Sequence, residues 1–465
     1  MTANINRYCS LFKRNLTRLT TDIIGLDSAV IYTVLGYAIS ALAVPVSTWL
    51  VLTHFSQNEQ GYYYTFVSLL GLQLFFELGL GQCITQFASH EFAHITITDR
   101  KTIEGSEYYR FRYIAIIKFA IKAYLFISLL AFFGIGIAGT IIFTIKPSGD
   151  IAWLIPWWCL CAANALALFL TAFTSILQGS DEIVWVAKVR VLANVFRLAV
   201  LCVLLWAGSK LIAPAVAVTA MVIIMAICIT KKFWTLFLQS LKSTHPPDVL
   251  LWRKEIWPYQ WRLAISWIAG YFVFNIFNPI IFLFNGPKSA GQFGLTWALL
   301  LNVSMVASAW STTKVPRYCA LISKEKWDEL DATWKKNSVQ SFGMCIAGCL
   351  VVIIFTIILR SLFPKYSERM LDPASCIGLA SALLISNVIG SFAYYLRAFK
   401  REPFMALSIY SGLGSFLSAC IMAKFFSLRG VIGGYILLMI ITFPFAQSLF
   451  RKYRKDWRIP KPIDV

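Results

Sequence analysis

Apolar runs of span length recur along the chain, divided by short polar breaks. The first, from Ala29 to Thr53, leads through the polar turn His54 to Gln60 into Gly61, and a second runs from Tyr62 to Ile84. A bilayer core of roughly 30 Å takes about 20 helical residues, so each run can cross once. Lipid offers no partner to a backbone N–H or C=O, which makes these runs helices rather than open strands. Ten more follow: Ile121 to Phe143, Ile151 to Leu177, Val184 to Ala207, Leu211 to Ile229, Leu263 to Phe284, Phe293 to Thr313, Ser341 to Leu359, Ala374 to Leu396, Phe404 to Ala423 and Val431 to Phe450. The opening hairpin has an echo. Leu263 to Phe284, the turn Asn285 to Ala290, Gly291 and Phe293 to Thr313 repeat its layout, with Gly61 falling on Gly291 and Leu69-Leu70 on Leu299-Leu300. The pattern predicts an all-α polytopic membrane protein of about twelve spans in two homologous halves of six. In this division a cytoplasmic amphipathic leader (1–28) precedes the first half (29–230), a linker (231–262) precedes the second (263–450), and a basic tail (451–465) ends the chain.

Composition agrees: 58% of the 465 residues are hydrophobic and 14% charged, which excludes a soluble domain of this length. The net charge of +20 points away from nucleic acid once its placement is read. Clusters fall on alternate breaks: Arg7 to Arg18, Arg100 to Arg112, Lys231 to Arg262, Lys314 to Lys336, Arg397 to Arg401 and Arg451 to Lys461. The intervening breaks hold only Lys146, Lys210, Lys288, Arg360 to Arg369, and Lys424 with Arg429. The positive-inside rule places both termini in the cytoplasm. The first run is too long for a cleaved signal peptide, and the leader lies along the membrane surface. The eleven cysteines are scattered without paired metal spacing, Cys159 and Cys161 pointing to different helix faces and Cys345 and Cys349 sharing one without further ligands, and they read as small buried apolar residues. No phosphate-cradling G-x-x-x-x-G-K-[ST] occurs, so transport would draw on an ion gradient, the substrate gradient or a partner.

Few polar residues fall where chemistry could use them. His90-Glu91-Phe92-Ala93-His94 matches H-E-x-x-H, whose histidines share a helical face suited to zinc. The only other histidines are His54, on the opposite side, and His245; the zinc-protease reading stands against a chance match at the membrane edge. Arg197 and Glu77 lie deep in the fifth and second spans, either as an ion pair holding helices together or as an anion site and a proton- or cation-binding coupling site. Lys118 and Lys122, one turn apart, and Lys188 with Arg190 form either a vestibule for phosphate or anchors for lipid headgroups. Asn164, Asn194, Asn302 and Asn387 fall near mid-span, as helix glue or as the lining of a sugar-binding cavity. Asn275 and Asn278-Pro279 interrupt the seventh span and mark the helix best able to bend.

Gly61-Tyr62-Tyr63 opening span two, Glu77-Leu78-Gly79-Leu80-Gly81 within it, Leu177-Gln178-Gly179 leaving span four, and Gly430-Val431-Ile432-Gly433-Gly434 opening span twelve carry a resemblance. In that order and over nearly the whole length, the chain resembles the Wzx-type polysaccharide and oligosaccharide flippases. These belong to the multidrug/oligosaccharidyl-lipid/polysaccharide (MOP) exporter superfamily. The resemblance implies two six-helix bundles, related by a pseudo-two-fold axis, around a cavity open alternately to each side of a bacterial inner membrane. The implied substrate is a glycan on an undecaprenyl-diphosphate-type lipid, as in O-antigen and polysaccharide biosynthesis. Other polysaccharide-assembly proteins would be partners, H+ or Na+ the coupling ion, and no cofactor is needed. The anion role passes to Arg197, with Lys118 and Lys122 at the entry. The chain departs from the more cationic cavities of that family in having almost no mid-span charge in its second half. Drug or small-metabolite export within the same superfamily is the alternative.

Overall fold

The computed structural model describes residues 44–97, 103–145, 151–243, 257–399 and 403–457. The expected leader, most of the first span, and the stretches holding Lys146, His245 and the end of the tail lie outside the described residues. The fold is that of an all-α polytopic membrane protein. Helical residues 44–54 (α1) precede a limb in three pieces, α2 (Gln57–Leu70), α3 (Gln73–Glu77) and α4 (Leu80–Phe92). Then come α5 (Glu107–Ile145), α6 (Leu154–Gly179), α7 (Ile183–Trp206) and α8 (Ile212–Lys242). The second half holds α9 (Trp257–Phe274), α10 (Phe277–Thr312), α11 (Val315–Ser323), α12 (Trp327–Leu362), α13 (Pro373–Arg397) and α14 (Met405–Asp456). One element falls outside the helical expectation. Ile95–Ile97 (β1) pairs antiparallel with Ile103–Gly105 (β2), where β-branched residues follow the end of α4.

Local chemistry sets several ends. Ser56 caps α2 in a capping box: its hydroxyl accepts from the Glu59 N–H at 3.2 Å, and its own N–H donates to the Glu59 carboxylate at 2.7 Å. Asp372 caps α13, accepting from the Ser375 N–H at 3.1 Å ahead of Pro373 in the first turn. Leu78 (φ 51°) and Gly79 (φ 70°) are both left-handed, which ends α3 and bends the limb by 46° before α4.

Eight helices are long and apolar enough to span, nine with the bent limb counted once. Two of these are helical hairpins. In α10, Gly286 adopts φ 83°, and Trp297 beyond it donates its indole N–H to the Phe274 carbonyl at 2.8 Å, so the chain has turned back on itself. In α14, Ser427 adopts φ 56°, and Gly434 closes on Ser418. Counting each hairpin as two limbs turns nine into eleven among the described residues. The expected twelfth is the first span, of which only α1 is described.

Contacts sort the limb ends into two faces. Glu91 meets Arg112, Glu182 meets Lys232, and Asp331 meets Arg454 on one, the basic face. Glu59 meets Lys210, and Lys288 meets Glu368, on the other, the far face. The alternation read from the loop charges is thus reproduced by side-chain pairing. The interior is apolar and aromatic. Trp157 is fully buried, donates its indole N–H to the Gly136 carbonyl at 2.9 Å, and packs on Phe66 with ring centroids 5.0 Å apart.

Trp157→Ala should cost about 3–5 kcal/mol of stability through the cavity it leaves, read as a lowered thermal midpoint of the detergent-purified protein. Trp157→Phe keeps the packing, loses one hydrogen bond, and should cost about 1 kcal/mol.

Candidate functional site

Two polar assemblies stand out against this apolar interior. The first surrounds Glu77, at the end of α3. The Tyr124 hydroxyl on α5 donates to the Glu77 carboxylate at 2.9 Å. Gly81, two residues past the left-handed break, lets α4 approach closely: a Cβ there would lie 2.7 Å from the Tyr124 hydroxyl, 3.0 Å from the Glu77 carboxylate and 3.1 Å from the Ser175 hydroxyl. Thr85 donates to the Ser175 carbonyl at 3.1 Å, and Asn164 donates to Gln73 at 2.8 Å, one turn before Glu77. A carboxylate, a phenol and two amides therefore sit together where α3, α4, α5 and α6 meet, inside the first half. The tertiary partners Tyr124 and Gln73 were not legible beforehand, since nothing in their spacing marks them.

Arg197 takes no part in this cluster. It lies half-buried on α7 within electrostatic reach of the Tyr63 hydroxyl, and no ion pair joins it to Glu77. The reading of these two as an internal ion pair gives way to a phenol-bound carboxylate and a guanidinium with no carboxylate partner among the described residues. The other expected residues are scattered. Lys118 donates to the Ser243 carbonyl at the C-terminus of α8, where a cation complements the helix dipole. Lys122 and Lys188 are exposed, and Arg190 donates twice to the Gln178 side-chain oxygen, at 3.0 Å each. Asn194 is half-buried; Asn302 buries an amide nitrogen with no partner among the described residues. Asn387 accepts from Ser341 at 3.4 Å. Asn275 lies in the break between α9 and α10, while Asn278 and Pro279 are buried in the first turn of α10, the Asn278 carbonyl oxygen also unpartnered.

The H-E-x-x-H residues do not form a metal site among the described residues. Arg112 Nε donates to the Glu91 carboxylate at 2.8 Å, which occupies the group that would activate water. His90 points outward and His94 stacks on Tyr109 at 4.0 Å.

The second assembly seals the far face. There α2 and the returning limb of α10 touch backbone to backbone: a Cβ on Gly61 would lie 2.0 Å from the Pro287 carbonyl oxygen, and one on Gly291 would lie 3.0 Å from the Gly61 nitrogen. These are the two glycines that the internal echo aligns. Gln60 ties the contact by donating to the Gly291 and Arg369 carbonyls, both at 2.9 Å. Around it, Lys288 donates to Glu368 at 2.6 Å, Gln57 to the same carboxylate at 3.3 Å, and Lys210 pairs with Glu59 at 3.0 Å. Beneath, Tyr62 meets Phe282 of α10 with centroids 4.9 Å apart. Gln60, Glu59 and Glu368 were missed because polar residues in a turn read as solvated.

No family model matches the chain, and no curated protein matches it. Solved structures do. An inward-facing structure of a multidrug resistance MATE family transporter of the MOP superfamily shares 14% identity over 89% of this chain and 96% of that one, with a TM-score of 0.61. An outward-facing structure bearing the same description shares 14% over 93% and 96%, at 0.60. A MOP superfamily transporter from Pyrococcus furiosus, described by a reversed polarity of its binding pocket and a different function, shares 16% over 92% and 96%, at 0.53. At such identities the likeness is one of fold.

Gly61→Val should prise α2 from α10. With Thr65, fully buried on α2, replaced by cysteine in a cysteine-free background, a water-soluble maleimide should label several-fold faster when Gly61→Val is added. Equal rates would mean that the glycines do not hold the seal. Burial pushes the Glu59 carboxyl up, but its hydrogen bonds to Ser56 and Lys210 outweigh this and hold it below its ordinary value of 4.5. Its contribution to stability is thus complete above 4.5 and lost as pH falls through the depressed value. The thermal midpoint of wild type should exceed that of Glu59→Gln at neutral pH, and the gap should close under acid.

Proposed function

We propose that this chain is an alternating-access transporter, held here with its far face closed, and that it moves a lipid-linked oligosaccharide across the cytoplasmic membrane. The carrying observation is the seal. Two helices from the two halves meet at glycines equivalent in sequence, and their contact is ringed by hydrogen bonds and ion pairs at one face only among the described residues. A contact of that kind can part as a unit, whereas a helix packed by interdigitating side chains resists separation. By the positive-inside rule the basic face is cytoplasmic and the sealed face is the outer one.

Charge favours an anionic cargo. Arg197 stands half-buried in its span without a carboxylate, while the carboxylate of Glu77 is engaged within the first half by Tyr124. A guanidinium in that position suits a phosphate or diphosphate, and the unpartnered amides of Asn278 and Asn302 suit hydroxyl-rich glycan. The lipid tail would remain in the bilayer while the sugar crosses in the polar interior. Glu77 is the coupling group in this reading, exchanging its Tyr124 hydrogen bond for H+ or Na+. Export of multidrug or small-metabolite cations is the second reading, favoured by the neighbours' own description as multidrug transporters. It would make Glu77 the cargo site and leave Arg197 without a role.

Export of lipid-linked glycan in cells lacking the protein separates the two when they are complemented with variants of normal abundance. Arg197→Ala and Glu77→Gln should each reduce export at least tenfold, and His90→Ala with His94→Ala should leave it intact. Full export with Arg197→Ala, alongside loss of cationic-dye efflux with Glu77→Gln, would overturn the glycan reading.

A further inference from the structure

The basic face of the second half carries a cleft of about 720 Å³ between the end of α10, α11 and the start of α12. Lys314, Arg317 and Lys336 line it together with Trp310, Asn337 and Gln340, and no aspartate or glutamate does. Of the carboxylates at the start of α12, Glu329 pairs with Lys326 at 3.6 Å and Asp331 with Arg454, while Asp328, one turn before Ala332, does not line the cleft. None of the three cations has an ion pair or hydrogen bond among the described residues. Other cations of this face do: Arg112 on Glu91, Lys232 on Glu182 and Lys118 on the Ser243 carbonyl.

The walls of the cleft are fixed. Buried Asn337 donates to the Tyr318 hydroxyl at 3.0 Å, joining α12 to α11, and Ser341 donates to the Ala307 carbonyl at 2.9 Å, joining α12 to α10. Three positive charges held on such a frame repel one another, and α11 adds the positive end of its dipole where it begins at Lys314. A dianion is the ligand that relieves this arrangement. Arginine offers phosphate a two-pronged donor and lysine a point charge.

We infer that this cleft binds the phosphate-bearing headgroup of a membrane lipid. Its volume falls in the range of roughly 300–1,000 Å³ usual for small-molecule sites, well beyond what a bare phosphate fills. Trp310, exposed at the cleft, is the residue type that settles at the membrane–water boundary and sets the site at headgroup depth. The exposed amide of Gln340 remains for whatever the phosphate carries. The site is independent of the transport reading, because occupancy requires no movement of cargo.

The test uses the full chain in phosphatidylcholine nanodiscs, titrated with a fluorescent phosphatidic acid. The triple variant Lys314→Gln, Arg317→Gln, Lys336→Gln is set against a control on the same face, Lys231→Gln, Lys242→Gln, Lys452→Gln, which removes equal charge from exposed positions outside the cleft. A cation near an anionic headgroup contributes about fivefold, so the cleft triple should weaken binding on the order of 100-fold and the control less than threefold. Equal losses in the two triples would reduce the effect to diffuse surface charge and overturn the inference. Displacement of the lipid by millimolar inorganic phosphate would assign the site to a soluble phosphate and overturn its lipid source. Resistance to that displacement supports the headgroup. Since binding is read without transport, failure here leaves the export experiment untouched, and the reverse holds as well.

Discussion

The contact of Gly61 with Gly291 is the constraint on which the rest of the architecture depends. Carbonyl and amide groups of two helices approach so closely there that even one methyl on Gly61 would strike the Pro287 oxygen. Membrane helices lack a hydrophobic drive to associate, because lipid tails are as apolar as their side chains, and close backbone packing supplies the attraction instead. In the aromatic layer beneath, Tyr62 meets Phe143 of its own half and, across the contact, Phe282 of α10. The polar ring above it is likewise built from residues that reach across the contact: Gln60 to the Arg369 carbonyl and Gln57 to Glu368.

Away from the seal, several carboxylates at the limb ends have a cationic partner. Glu91 has Arg112, Glu182 has Lys232, and Asp331 has both Arg454 and the Tyr395 hydroxyl at 3.0 Å. These pairs hold limb ends together at the membrane surface, where water moderates their cost. Arg197 and the buried amides of Asn278 and Asn302 have no such return within the described protein. Leaving such an amide unsatisfied in a low-dielectric interior costs about 1–3 kcal/mol, and the Gln60 side-chain oxygen at the seal is in the same position.

Much of the fold was legible because lipid leaves the backbone few choices. Run length gave the limbs, loop charge gave the alternation of faces, and the echo of Gly61 in Gly291 anticipated two positions that turn out to touch. The interruption at Asn275 was visible from Pro279, whose ring denies the helix a hydrogen bond. The site was less legible. A tyrosine inside a hydrophobic run gives no sign of pointing at a carboxylate 47 positions earlier, as Tyr124 does. The spacing of Lys118 and Lys122 indicated a shared helix face yet said nothing of the α8 carbonyls that claim Lys118. Pairings across the bundle are set by packing, and packing leaves no period in the sequence.

The left-handed pair Leu78 and Gly79 makes the second limb a lever. On one side of it α2 is fastened to the second half of the chain; on the other, α4 is fastened to α6 of the first. Torque applied at one arm must pass through the short segment between them, and Glu77 is its final helical residue. The carboxylate therefore sits at the fulcrum. A rotation of one arm against the other would be taken up beside the hydrogen bond from Tyr124 to Glu77, which is where the fastened arms of the limb meet.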